Sequence, residues 1–147
     1  MFRGRHEHSI DAKGRLSIPR VFREALVAGE EDPPMLVNKK DHLALYPAST
    51  WAKEEELLLR ASNFDPDAQR LRLFYASGSV PCPIDSQGRI LVPGFLREHA
   101  DLDSKVIVAG AYSHIEIYNP SRFSEKQGLT VFDFDKIQRA VSQAVAS

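Results

Sequence analysis

One stretch of this chain is written twice. Ile10-Asp11-Ala12-Lys13-Gly14-Arg15-Leu16-Ser17-Ile18-Pro19 returns as Ile84-Asp85-Ser86-Gln87-Gly88-Arg89-Ile90-Leu91-Val92-Pro93, and each copy is followed at the same distance by Arg-Glu, as Arg23-Glu24 and Arg97-Glu98. Across positions 10–24 and 84–98, seven of fifteen residues are identical. The conserved skeleton is an acid and an arginine around a glycine, two alternating apolar residues, then proline. Such a repeat keeps a backbone shape and a charge pair together, so the chain carries a built-in pseudo-dimer.

The local pattern predicts small β-rich modules. His8 to Asp11 reads as the end of a strand, Ala12-Lys13-Gly14 as a tight turn with Gly14 at positive φ, and Leu16-Ser17-Ile18 as a short half-buried strand. Pro19 suits the first turn of a helix over Arg20 to Val27, with Phe22, Ala25 and Leu26 on one face. Met35-Leu36-Val37-Asn38 and Leu43-Ala44-Leu45-Tyr46 predict a hairpin. In the second half, Val106 to Ala109 answers Met35 to Asn38, and Ile115 to Phe123 answers Leu43 to Trp51. Between the halves, Ser49 or Thr50 is expected to cap a helix from Trp51 to about Ala61 with Leu57, Leu58 and Leu59 partly inward. A second helix from Asp65 or Asp67 to Gly78 links the halves. Ile137, Ala140, Val141, Ala144 and Val145 form an apolar stripe at helical spacing, which must dock on the chain's own core or on a neighbouring subunit.

At 147 residues, 43% hydrophobic and 27% charged, the composition is that of an ordinary soluble globular chain without an apolar run of the ~18 residues a membrane span needs. No apolar region follows the basic N-terminus, so no secretory signal is expected there, and a cytoplasmic location follows. The lone Cys82 sits between two prolines with no adjacent base, which favours an inert or buried thiol. The net charge of -1 hides an uneven distribution. Arg3, Arg5, Lys13, Arg15, Arg20 and Arg23 gather around the first motif, against Glu7 and Asp11, while acids collect at Glu30 to Asp32 and Glu54 to Glu56.

The Asp-x-x-Gly-Arg turns divide the chemistry between them. Asp11 and Asp85 are expected to brace their own turns, accepting turn N–H groups or the guanidinium, with Gly14 and Gly88 at the bend. Arg15 and Arg89 present planar donor forks suited to phosphate oxygens or guanine, and these are the residues expected to touch a ligand. Lys13 and Arg20, with Gln87 and Gly94 as counterparts, make the first copy the more basic, as do Arg3 and Arg5 against Ser77 and Ser79. The first copy's face should therefore dominate phosphate contact.

Other chemistries fit less well. Two aspartates related by a pseudo-two-fold suggest an aspartic dyad, but the adjacent arginines would keep both ionised. His6 and His8 share a strand face without a third ligand, so no metal site is expected. Trp51 and Phe123, matched across the copies, read as core anchors. No motif calls for a cofactor or a small-molecule substrate.

The paired Asp-x-x-Gly-Arg-Leu/Ile-x-Ile/Val-Pro motifs, the leading Phe2-Arg3-Gly4, and the Leu43-Ala44-Leu45-Tyr46 and Ile115-Glu116-Ile117-Tyr118 segments resemble the MraZ family of bacterial transcriptional regulators over nearly the whole chain. The resemblance implies an α+β, mainly β fold. In it, two AbrB-like swapped-hairpin modules form a pseudo-two-fold β-barrel with peripheral helices. On that pattern, residues 5–52 and 81–124 are SpoVT-AbrB domains, 53–80 a helical linker and 125–147 a C-terminal helical segment. It further implies a homo-oligomeric ring that binds short direct repeats in double-stranded DNA of its own promoter. There it usually acts as a repressor of the division and cell wall gene cluster, in association with the nucleoid. Arg15, Arg89, Lys13, Arg3, Arg5 and Arg20 are the expected DNA-contacting residues. The competing non-enzymatic reading is an AbrB-like antitoxin-type module that binds a protein partner.

Overall fold

A computed structural model describes the backbone of all 147 residues and every side chain except those at 131 and 132. Eight strands and six helices follow in the order β1 (Arg5–Ser9), β2 (Arg15–Ser17), α1 (Arg20–Val27), β3 (Met35–Asn38), β4 (Leu43–Tyr46), α2 (Ala48–Leu59), α3 (Pro66–Gly78), β5 (Ser79–Pro81), β6 (Arg89–Leu91), α4 (Gly94–His99), β7 (Lys105–Gly110), β8 (Ile115–Tyr118), α5 (Pro120–Gln127) and α6 (Val131–Ala146). One sheet runs β1-β7-β8-β4-β3-β5, and β2 and β6 form a separate two-stranded ribbon. All strand pairs are antiparallel.

Each half lends strands to the other. β1 pairs with β7 and β5 pairs with β3, so both strands that precede a motif lie against the opposite half. Exchanging the two halves maps the sheet order onto itself. The central pair β4·β8 sets Leu43 against Ile117, Ala44 against Glu116 and Leu45 against Ile115, and the ribbon sets Arg15 against Leu91, Leu16 against Ile90 and Ser17 against Arg89. Both registers are symmetric about their middle pair, so a pseudo-two-fold runs through Ala44/Glu116 and Leu16/Ile90. In the hydrogen-bonded order of the six-stranded sheet, β1 and β5 are the outer strands.

The interlocking yields one main core rather than two. Leu16, Ile18, Phe22, Leu26, Leu36, Leu43 and Leu45 from the first half pack in the same cluster as Ile90, Val92, Leu96, Val106, Val108, Ile115 and Ile117 from the second. A smaller cluster of Val37, Ala44, Tyr46 and Trp51 lies on the other face of β3 and β4, joined by Tyr75 of α3.

Several local expectations shift. Met35 answers Ile107, not Val106, because Met35 opposes Tyr46 as Ile107 opposes Tyr118. A one-residue slip would turn the buried Leu36 and Val108 to opposite faces, so packing fixes the register where sequence similarity is weak. On α1, Phe22 and Leu26 are buried, but Ala25 is exposed. α2 starts earlier, after Pro47, with no side-chain cap. Ser49 instead gives its hydroxyl to the Glu30 carboxylate at 2.5 Å. Leu57 and Leu59 face solvent and Leu58 is only half-buried, since α2 touches the sheet mainly through Trp51. Asp65 caps α3, its side chain accepting the Asp67 N–H at 2.9 Å. Within a single chain the apolar stripe of α6 is left uncovered: Ile137, Val141 and Val145 are exposed.

Candidate nucleic-acid interface

The two motifs fold into the same turn. Asp11 Oδ1 accepts the backbone N–H groups of Lys13 at 3.0 Å and Arg15 at 2.9 Å, while Oδ2 accepts Arg15 Nε–H at 2.7 Å. In the second copy Asp85 Oδ1 accepts from Gln87 and Arg89, both at 2.9 Å, and Oδ2 from Arg89 Nε at a looser 3.3 Å. Gly14 and Gly88 bend the chain at φ +89 and +79, where any residue with a Cβ is strained. Both N–H groups point back to the aspartate carbonyl, at 2.9 Å each.

The electrostatics follow from this cradle. The Arg15 N–H, its guanidinium and the Lys13 N–H together outweigh the opposing desolvation and hold the Asp11 carboxyl below the usual carboxylate range. The Arg89 and Gln87 N–H groups and the Arg89 charge do the same for Asp85. Each carboxylate thus stays ionised within its own turn. A dyad sharing one proton requires the reverse, a raised value on one member.

The β2·β6 ribbon then joins the turns. Leu16 and Ile90 are fully buried, so Arg15, Ser17, Arg89 and Leu91 all point away from the core. Arg15 and Arg89 are diagonal neighbours across the ribbon, roughly 7–8 Å apart. Their side chains keep 37% and 26% of their surface exposed, and each uses Nε on its aspartate, which leaves the outer guanidinium edge for a ligand. The result is a narrow double strand with two pre-aimed arginine forks on one face.

The remaining basic residues distribute unevenly. Lys13 is exposed in the first turn. Arg20 opens α1 and shares an open cleft with Arg23 and Glu24, and Arg23 lies over Gly88, so Arg20 flanks the second copy's turn. The basic residues of the first half thus extend, through Arg23, to the second copy's turn. Arg3 and Arg5 stand at the far end of β1 from the turn. Their guanidiniums lie 5.8 Å from the Tyr112 ring centroid and 5.7 Å from that of Phe123. Sequence reasoning missed three participants. Arg23 and Arg97 pack against the turns, signalled by the repeated Arg-Glu and, for Arg23, by its place in the basic cluster, and Leu91 is 59% exposed beside Arg89, legible from strand alternation.

His6 and His8 pack ring against ring with centroids 6.3 Å apart, and among the described residues no three His, Cys, Asp or Glu side chains are grouped to hold a metal. Burial pushes the Cys82 thiol up to about 12, which leaves it unreactive. Near the pseudo-two-fold, Glu116 accepts from His114 Nε2 at 2.9 Å and Tyr118 OH at 2.8 Å, with His42 Nε2 3.5 Å away. Burial alone would raise its carboxyl, but these donors overcome that and hold it well below the carboxylate range. No described helix is long and apolar enough to cross a membrane.

Fold and site together define a class: a duplicated α+β protein whose halves exchange strands and present paired Asp–Arg turns on a common ribbon. The family model described as "MraZ protein, putative antitoxin-like" matches residues 1–74 and again 75–138, and the chain belongs to that family. Among its curated relatives, a protein of Syntrophobacter fumaroxidans is 37% identical over 92% of this chain and 91% of its own length. One from Moorella thermoacetica is 41% identical over 85% of each chain, and one from Caldanaerobacter subterraneus is 38% identical over 93% of this chain and 94% of its own. All three carry the name transcriptional regulator MraZ.

Proposed function

We propose that this chain is a transcriptional regulator that binds double-stranded DNA sequence-specifically through the β2·β6 ribbon. The observation that carries this reading is the pair of braced arginines, Arg15 and Arg89, on the outer face of one two-stranded ribbon. A B-DNA major groove admits a ribbon of that width, and a guanidinium held by its Nε offers its remaining edge to guanine O6 and N7 or to phosphate. Leu91, exposed on the same face, fits the methyl group of thymine. Lys13 and Arg20 flank the ribbon and serve as phosphate contacts. Arg3 and Arg5, at the far end of β1, reach DNA only where it extends beyond the ribbon.

The names of the relatives support regulation of transcription. The resemblance adds the finer assignment: short direct repeats in the chain's own promoter, usually repression of the division and cell wall genes, and a nucleoid-associated place in the cytoplasm. One ribbon per chain suits weak single contacts that gain affinity by linkage, and the exposed apolar stripe of α6 supports assembly of several chains into a ring. A gel shift with the protein's own upstream DNA against a scrambled duplex tests the reading. Preferential retardation of the upstream duplex is expected, and equal retardation of both would sink sequence-specific control. Footprinting with mass measurement of the free protein relates protected repeats to subunit number.

A further inference from the structure

We infer that Arg23 and Arg97 are positioning residues, each bracing the Asp-x-x-Gly-Arg turn of the opposite copy so that Arg15 and Arg89 are presented as one unit. Arg97, on α4 of the second half, lies against the first half's turn: a Cβ built on Gly14 would sit 3.2 Å from its guanidinium carbon. Its Nε–H donates to Val92 O at 3.1 Å, and the Val92 N–H donates to Gly14 O at 2.8 Å. Arg97 is thus coupled through one residue to the backbone of the turn it covers. Arg23, on α1 of the first half, lies against the second half's turn. A Cβ on Gly88 would collide with its Nη1, and the Ile18 N–H donates to Gly88 O at 2.9 Å.

The turn glycines therefore do two things. They supply the positive φ of the bend, and their missing Cβ leaves the space that the other copy's arginine fills. That accounts for the joint repetition of glycine and arginine, since each Gly needs the Arg of the other copy rather than its own. It also explains why these arginines are half-buried instead of reaching outward as phosphate ligands. The two braces are not equal, because Arg23 Nε is buried without a hydrogen-bond partner where Arg97 Nε has Val92 O. The Asp–Arg contact is the longer in the second copy, at 3.3 Å for Arg89–Asp85 against 2.7 Å in the first, while the backbone bonds of the two turns match.

The brace itself stands on geometry alone; its consequence for DNA rests on the function proposed above. The test uses the full chain with Arg23→Lys and Arg97→Lys, which keep the charge and lose the planar fork. Hydrogen exchange read by mass spectrometry should show Arg23→Lys accelerating exchange in peptides covering 84–92 more than in those covering 10–18, and Arg97→Lys the reverse. Unchanged exchange, or acceleration mainly in the variant's own copy, would overturn the brace. With upstream duplex, each variant should lose about tenfold in specific affinity while binding scrambled DNA as before, with an unchanged salt slope. A slope smaller by about one unit would make the arginine a phosphate ligand and also overturn the proposal. If the unmodified chain shows no sequence preference, the DNA reading falls, and the exchange measurement still decides the brace.

Discussion

At the scale of single residues, the turns separate work between scaffold and contact. Asp and Gly shape the bend, and Arg is left with a free edge. Replacing Arg15 with Ala is expected to abolish specific DNA binding while melting temperature and oligomer mass stay as in the parent chain; retained affinity in the variant removes Arg15 from the interface. Lys13→Ala should weaken binding to all duplexes alike and lower the salt slope by about one unit. The two glycines differ in a way their sequence context hides. A methyl at Gly88 meets only the Arg23 side chain, along its length from Nη1 to Cδ, whereas one at Gly14 lies 2.7 Å from the backbone oxygen of Val92. Both alanine variants incur the left-handed backbone cost of about 1–2 kcal/mol, and Gly14→Ala should be the more destabilised on denaturant titration. An equal or reversed order would mean that the backbone around Val92 gives way.

Among the elements, the ribbon and the central strand pair are where the halves meet, and both are sensitive to what they bury. Leu16 sits fully buried at the middle of the ribbon opposite Ile90. Leu16→Ala should cost about 2–5 kcal/mol by loss of packing and leave a cavity under both arginines. In β8, Glu116 is a carboxylate kept ionised by His114, His42 and Tyr118 in the folded state. Its folded value lies below the unfolded one of about 4.3, so its contribution to stability is present above that pH and is lost as pH falls toward the folded value. Asp11 and Asp85 act in the same direction. Glu116→Gln should therefore flatten the decline of melting temperature between neutral pH and pH 3; an unaltered decline would show that these donors do not stabilise its charge.

For the whole molecule, strand exchange decides how the chain can come apart. Because β1 completes the second half's sheet and β5 the first's, neither half owns its fold. Fragments 1–63 and 64–147, divided in the exposed link between α2 and α3, should each lack stable β-structure alone and regain it on mixing, as followed by circular dichroism. Independent folding of either fragment would contradict a shared core. Shortening the chain before α6 should leave this core's stability unchanged, since among the described residues none of α6 belongs to either buried cluster.

Much of this was written locally. Gly14 and Gly88 at positive φ, α1 beginning after Pro19, β3 and β4 at their bounds, and the Asp–Arg contact inside each turn all follow from neighbours a few residues apart. Such interactions are settled by backbone sterics and short-range hydrogen bonds, which a sequence displays directly. What tertiary structure alone decided is which half each piece serves. The one-residue register of β7 and the exposure of Leu57 and Leu59 depend on which faces pack on the core, while the reach of Arg23 to Gly88 and of Arg97 to Gly14, and the meeting of Arg15 with Arg89 on one face, depend on antiparallel pairing of β2 with β6, some seventy residues apart. Nothing local selects that pairing. It follows from burying Leu16, Ile90 and their companions in a single core, which neither copy can complete by itself.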